Sequence, residues 1–405
     1  NGDHQGSGRV GGDGVMAKLG ECFSVIRNGA SIRQTDGAGG FPITRIETIA
    51  DKTINREKFG YAGIYDLAQY RDYILQDGDI LMSHINSEKH LGKVALYSKQ
   101  DDEQIIHGMN LLMLRADTQK VIPEYAKYYF ESQKFLRQIG RITKKSVNQA
   151  SFTVTALKEL EIPLASIIVQ RDISKKLKKV DWLVSLRKQQ LAKLDELVKA
   201  RFVEMFGTFP ANPFRWSIGK IQDVVSDVRY GSSRPAVEGG KYPYLRMNNI
   251  TYSGELDLRD TKRIDIPDSE LDKCTVRRGD VLFNRTNSKE LVGKTCVYNR
   301  DELMVLAGFV IRVRVNERIR PEILSAFLNM DFSKRMLIGM CKTAIGQANI
   351  NAKELQNIDL YIPPIELQDQ FVTLKNKIDQ QKQTVQQSLE KLELLKKALM
   401  QEYFG

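Results

Sequence analysis

Gly293-Lys294-Thr295 has the ending of a phosphate-binding loop, in which backbone N–H groups and a lysine cradle a nucleotide. That loop needs a leading glycine at position 288, which is serine here. A strand-to-strand turn accounts for the triplet, and for the similar Gly92-Lys93-Val94, which lacks even the hydroxyl. Asn212-Pro213-Phe214 matches part of an amino-methyltransferase motif, but the second proline is absent and no glycine-rich cofactor loop follows a strand. Pro267-Asp268 opens like a nuclease motif without a suitably spaced acidic-x-Lys partner. His4, His84, His90 and His107 are unclustered, and no Ser–His–Asp order stands out. Cys22, Cys274, Cys296 and Cys341 lack metal-ligand spacing, which suits a reduced cytosolic protein. The expectation is no catalytic residue and no metal site on this chain, with any catalysis left to partners.

The formal net charge is +11 over 405 residues, an excess compatible with a phosphate-facing surface but not diagnostic of one. No apolar run is long enough to span a membrane, and the length allows two or three domains with proper cores. Residues 1–15 are glycine-rich and precede Met16. They read as a tag or disordered leader, outside the fold.

The rest of the chain is one unit used twice. KLGECFSVIRNG, Lys18 to Gly29, matches KIQDVVSDVRYG, Lys220 to Gly231. FPITRIETI matches YPYLRMNNI, pairing Arg45 with Arg246. DGDILMSHINSEKHLGKVALY, Asp77 to Tyr97, matches RGDVLFNRTNSKELVGKTCVY, Arg278 to Tyr298. VIPEYAKYYF matches IRPEILSAFL. Short alternating or apolar runs such as GDILMSHI and FVIRVRV predict strands, and EYAKYYFESQKFLRQIG and its partner predict helices. The fold class is therefore α+β (mixed α/β).

Each copy ends in a long stretch without Gly or Pro whose apolar residues recur at four-then-three spacing, the seam of a coiled coil. In the first the seam is Ile173, Leu177, Val180, Val184, Leu191, Leu194, Val198 and Met205. In the second it is Phe371, Ile378, Val385, Leu389, Leu392 and Leu399, continuing to Tyr403. A helix that long cannot bury its seam alone, so each is the expected partner of the other. The second head begins just after the first helix ends at Gly207 and finishes at Pro363-Pro364 directly before the second helix, which favours antiparallel packing and a pseudo-twofold internal repeat. Such a pair would hold a head at each end of a rod about 50 Å long. The predicted organisation is leader 1–15, head 16–170, helix 171–207, head 208–369 and helix 370–405.

This order, with GDIL/GDVL…GK in each head and IPL/IPP followed by Gln170-Arg171 or Gln368-Asp369 before each helix, resembles the specificity subunit of Type I restriction–modification enzymes. The likeness covers residues 16–405 and departs in IPLASIIVQRDI, which lacks the second proline and acidic residue of IPPIELQDQF. It implies two target-recognition domains, each reading half of a bipartite double-stranded DNA sequence, spaced by helices that bind two methyltransferase (modification) subunits. Restriction/translocase subunits would join the full complex. No cofactor is expected on this chain, S-adenosylmethionine being expected on the methyltransferase subunits. The implied location is the cytoplasm, with no membrane contact.

Arg, Lys, Asn and Gln side chains on turns and loops reach guanine and adenine edges in the major groove. In the first head the candidates are Arg45, His84, Asn86, Lys89, Lys144, Lys145, Asn148 and Gln149. In the second they are Arg246, Asn248, Arg285, Asn287, Lys289, Lys342, Gln347 and Asn349. Ser31, Arg33, Ser233 and Arg234 are weaker choices. Two other classes compete with a DNA reader: a coiled-coil scaffold with two protein-binding heads, and a self-contained DNA-modifying enzyme. Duplicated heads with divergent loops favour the reader, and missing cofactor motifs disfavour the enzyme.

Overall fold

The structure, a computed structural model, describes residues 15–405 except Asp36, Ala38, Asn148, Ile345 and Gly346, with side chains left undescribed in 342–347. The chain forms two compact units. One holds the described residues up to Leu186 together with Ser388–Gly405, and the other holds Arg187–Gln387.

In the first unit the strands Phe23–Asn28, Leu111–Ala116, Ile80–Ser83 and Val94–Leu96 lie side by side in that order, all antiparallel. Alternation splits their side chains between two cores. Ile80, Met82, Leu112 and Leu114 face the helices Pro123–Phe130 and Gln133–Ile142. Leu81, Leu111 and Met113 face loops that bring in Ile49, Phe59 and Leu75. The strand Val15–Lys18 pairs with Glu161–Leu164, so Val15, the last residue of the stretch read as a leader, belongs to the fold.

The second unit repeats the plan with Val225–Tyr230, Val310–Val315, Val281–Asn284 and Thr295–Val297. Phe283 and Ile311 face one core, Leu282 and Val310 the other. It adds a sheet of Lys262–Ile264, Tyr242–Leu245, Met304–Leu306 and Thr275–Val276. In the first unit the equivalent place holds bridges such as Ile43 to Ile106.

The repeated Gly-Asp dipeptides are structural. Gly78 and Gly279 sit at φ +88 and +89, a turn conformation that side-chain-bearing residues rarely adopt. Asp79 behind the first accepts two hydrogen bonds from Arg115, at 2.8 and 2.7 Å. Asp280 behind the second pairs with Arg314 in the same way, at 2.8 and 3.4 Å. Both carboxylates are buried, so each is a charge neutralised in place by a forked partner.

The long helices run Ile167–Phe206 and Ile365–Phe404, 40 residues each, and each contributes a segment to each unit. They start earlier than the predicted 171 and 370. Ser166 caps the first, its hydroxyl accepting from the Val169 amide, and Pro364 precedes the second, where a missing N–H is harmless. Within each unit the two segments are antiparallel. In the first, Asp181 meets Lys396 at 2.6 Å, and Phe404 joins the core that holds Ile173 and Leu177. In the second, Asp195 meets Lys382, and Phe371 packs against Phe202 and Phe206 with ring centroids 5.4 and 5.6 Å apart.

Ile173, Leu177, Val180, Phe371, Ile378, Val385 and Leu389 are buried as the seam requires. Val184, Leu191, Leu194, Val198, Met205, Leu392 and Leu399 are half-buried. Phe202, Phe206 and Phe404 are also buried but lie off the predicted seam, because they dock onto the heads rather than only onto the facing helix.

One glutamine anchors each helix start. Gln170 Oε1 accepts from the Ile122 amide, and its Nε2 donates to the carbonyls of Lys120 and Ala165, all at 2.9 Å. Gln368 repeats this with the Arg320 amide at 2.8 Å and the carbonyls of Arg318 and Pro363 at 3.1 and 2.8 Å. Both are fully buried with these bonds made, as buried amides must be.

Candidate nucleic-acid interface

A small three-stranded sheet in each unit collects most of the candidate residues. In the first unit Ile85–Asn86, Ala150–Ser151 and Lys144–Lys145 pair in that order. This brings Asn86, Lys144 and Lys145 onto neighbouring strands, with Gln149 in the hairpin and Lys89 in the turn Glu88–His90. Lys144, Lys145, Gln149 and Lys89 are exposed. Lys145 is paired with Glu88 at 2.8 Å. Asn86 is fixed locally, its Oδ1 accepting from the Ser87 amide at 2.7 Å. Asn148 lies outside the described residues.

In the second unit the matching sheet is Thr286–Asn287, Gln347–Asn349 and Lys342–Ala344. Lys342 and Gln347 lie on its strands, with side chains outside the described set. Asn287 donates to Asn284 at 2.9 Å and accepts from the Ser288 amide at 2.9 Å, repeating the arrangement at Asn86. Lys289 is exposed. Arg285 enters the sheet edge and donates from Nη2 to Asn349 Oδ1 at 3.1 Å. Its guanidinium stacks over the Tyr230 ring, 4.8 Å from the centroid.

Arg45, Arg246 and Asn248 sit on a different element, the single turns Ile46–Ile49 and Met247–Asn249. Arg45 and Asn248 are exposed, and Arg246 is bound to Asp260 at 3.1 Å. Among the weaker choices Ser31, Arg33 and Ser233 are exposed, while Arg234 donates from Nε and Nη2 to the Glu270 carboxylate, at 3.2 and 2.7 Å.

His84 corrects an expectation. Predicted as an exposed edge reader, it is buried against Phe152, with centroids 6.2 Å apart. Burial pushes its pKa down to about 4, so the ring is neutral near pH 7. The sequence showed a polar residue in a loop-like run and could not show that Phe152, 68 positions on, would cover it.

Lys294 and Tyr230 were not singled out as functional. The Lys294 ammonium is buried and donates to the carbonyls of Met247 and Ile250 at 3.0 and 2.6 Å. It therefore fixes the turn that carries Arg246 and Asn248, and Gly293 beside it is a φ +77 turn, not a phosphate cradle. Tyr230 had a local signal, an aromatic before a glycine at a strand end, but no pattern linked it to Arg285.

The other apparent motifs are structural too. Asn212 adopts φ +42 and exchanges two hydrogen bonds with the Trp216 backbone, closing the turn after the first long helix. Asp268 opens the short helix Asp268–Cys274. Among the described residues no group of three or more His, Cys, Asp or Glu is placed to hold a metal ion. No described helix is long and apolar enough to cross a membrane.

Comparison with known proteins bears on the duplication directly. A family profile described as "Type I restriction modification DNA specificity domain" matches residues 13–196 and again 215–394. The chain is similar to the type I restriction enzyme MjaX specificity subunit of Methanocaldococcus jannaschii, 32% identical with 97% of this chain and 93% of the relative covered. It is also similar to the type I restriction enzyme EcoKI specificity subunit of Escherichia coli K12, at 23% identity over 56% of this chain and 51% of the relative. Among solved structures, the type I restriction–modification S subunit from M. genitalium superimposes with TM-score 0.56 at 15% identity, covering 97% of this chain and 96% of the other. A chain from a study of complex assembly and conformational transition of the type I R-M system gives TM-score 0.54 at 18% identity, covering 96% and 97%. At these identities the structures establish the shared fold.

Proposed function

The chain belongs to the type I restriction modification DNA specificity family, and from that membership we propose that it is the DNA-reading subunit of a type I restriction–modification complex. Each unit reads one half of a bipartite duplex target. The observation that carries this reading is the pair of small sheets. They share strand order and the Asn86/Asn287 arrangement, yet the first unit has Lys145 at the register position that Thr343 holds in the second, and the second has Arg285 bonded to Asn349. One scaffold with two polar surfaces is what two different half-sites require, since base edges are told apart by donor and acceptor pattern.

The chain itself is non-catalytic in this reading. Two methyltransferase subunits dock on the long helices and carry S-adenosylmethionine, and restriction subunits join them. Trp182, Leu186, Leu394 and Leu395 are large apolar residues left exposed on the helix segments of the first unit, and suit such docking.

The test is co-expression with its methyltransferase partner in a host free of other methylation, followed by methylome sequencing. A single split motif with an undefined spacer is expected. Methyl transfer by the highly purified chain alone, or a continuous motif, would overturn the reading.

A further inference from the structure

We propose that Arg285 reads a guanine in the half-site addressed by the second unit, and that Asn349 and Tyr230 are positioning residues that hold it in reading geometry. The inference rests on the DNA-reading function proposed above and specifies one side chain and one base.

An arginine recognises guanine by presenting two parallel N–H groups to the O6 and N7 acceptors in the major groove. A free arginine samples many rotamers and loses that entropy on binding. Arg285 has already lost it. Its backbone is fixed at both ends, the amide donating to the Phe309 carbonyl at 3.0 Å and the carbonyl accepting from the Ile350 amide at 2.9 Å. Its guanidinium lies over the Tyr230 ring, and Tyr230 is held in turn because its hydroxyl accepts from the Ala352 amide at 2.8 Å. Asn349 takes one Nη2 hydrogen. Nε is buried without a hydrogen-bond partner, and no described residue bonds Nη1. No described carboxylate is paired with the group either, unlike Arg234, Arg246, Arg312 and Arg314 in the same unit. A half-buried, oriented and unneutralised guanidinium on a sheet edge is suited to an external planar acceptor.

The first unit lacks the whole device. Strand register places His84, Asn28 and Ser151 where the second unit has Arg285, Tyr230 and Asn349. The guanine contact is accordingly confined to one half-site.

The test uses the full chain co-expressed with its methyltransferase subunits, with methylome sequencing of the wild type, Arg285→Ala, Arg285→Lys and Asn349→Ala. In the wild type, one half-site contains an invariant guanine. Arg285→Ala relaxes that one position, lowering discrimination for guanine about ten- to a hundredfold, while the other half-site is unchanged. Arg285→Lys keeps the charge without the planar fork, so it restores methylation level but not discrimination. Asn349→Ala weakens discrimination at the same position by a smaller factor. An unchanged motif in both Arg285 variants overturns the inference and leaves the DNA-reading function standing. Relaxation at an adenine or pyrimidine overturns it likewise. Absence of any split motif in the wild type removes the function and the inference together.

Discussion

His84 and His107 are enclosed in the first unit, where burial lowers their pKa values to about 4 and about 3. The second unit, 187–387, contains no histidine. An imidazole that is neutral when folded and protonated when unfolded makes the unfolded chain bind more protons. Its contribution to stability is whole above the ordinary value of 6.5 and is lost as pH falls toward 4. Acid should therefore open the first unit before the second, read by hydrogen exchange at pH 7, 6 and 5. His84→Phe, which keeps a ring against Phe152, should flatten part of that slope; an unchanged slope would show that His84 does not supply it. Lys334 gives a test of the same sign on the alkaline side. It is mostly buried and donates to the Gly293 carbonyl at 2.5 Å, and desolvation lowers its pKa to about 7. Above pH 7 the folded chain sheds this proton while the unfolded chain keeps it to about 10.5, so stability rises with pH across that window. The denaturation midpoint of the wild type should gain on that of Lys334→Met between pH 7 and 9, and parallel midpoints would contradict it.

At the scale of elements, the long helices were legible because a 4-3 apolar register needs only local reading, whereas their attachments were not. Gln170 and Gln368 stand at a repeated place in the sequence, but nothing local says that each satisfies three backbone groups, two of them 48 and 50 residues away. Removing one leaves those groups buried and unpaired, at roughly 1–3 kcal/mol each before relaxation. Gln368→Ala should lower the urea midpoint of the second unit and leave the first unchanged; equal loss in both units would mean that the anchor is not local. Phe404 gives the matching case. It is 2% exposed and packs edge-on against Tyr125 and Tyr129, at 5.2 and 5.8 Å. Phe404→Ala should cost about 3–5 kcal/mol, registered in the first unit although the residue is the penultimate one of the chain. The small sheets were illegible for a similar reason. Their candidates were selected one at a time, and only pairing such as Thr286 with Asn349 shows that they share a surface. His84 went the other way because its cover comes from a distant strand end.

For the molecule as a whole, the duplication was visible in aligned motifs, but the boundary between units was not. Heads at 16–170 and 208–369 suggest that a head is the exchangeable piece. The structure instead assigns the first unit a segment from each long helix, ending at Leu186 and resuming at Ser388. The first head is built around that second segment. Phe404 fills its aromatic core, and Lys396 lies 2.6 Å from Asp181, which also accepts from the Tyr128 hydroxyl at 3.0 Å. Replacing residues 15–166 alone with those of a relative that reads another target keeps the old helix against a new head. Mismatch at Phe404 then carries a penalty of the same ~3–5 kcal/mol order, a large fraction of ordinary domain stability. Replacing 15–186 together with 388–405 moves the complete packing unit. The second exchange should therefore yield the more stable protein by thermal denaturation, and methylome sequencing should show one half of the motif changed and the half read by the second unit retained. Change in both halves would mean that the units do not read independently, and equal stability of the two exchanges would mean that the C-terminal helix segment is not part of the first unit's core.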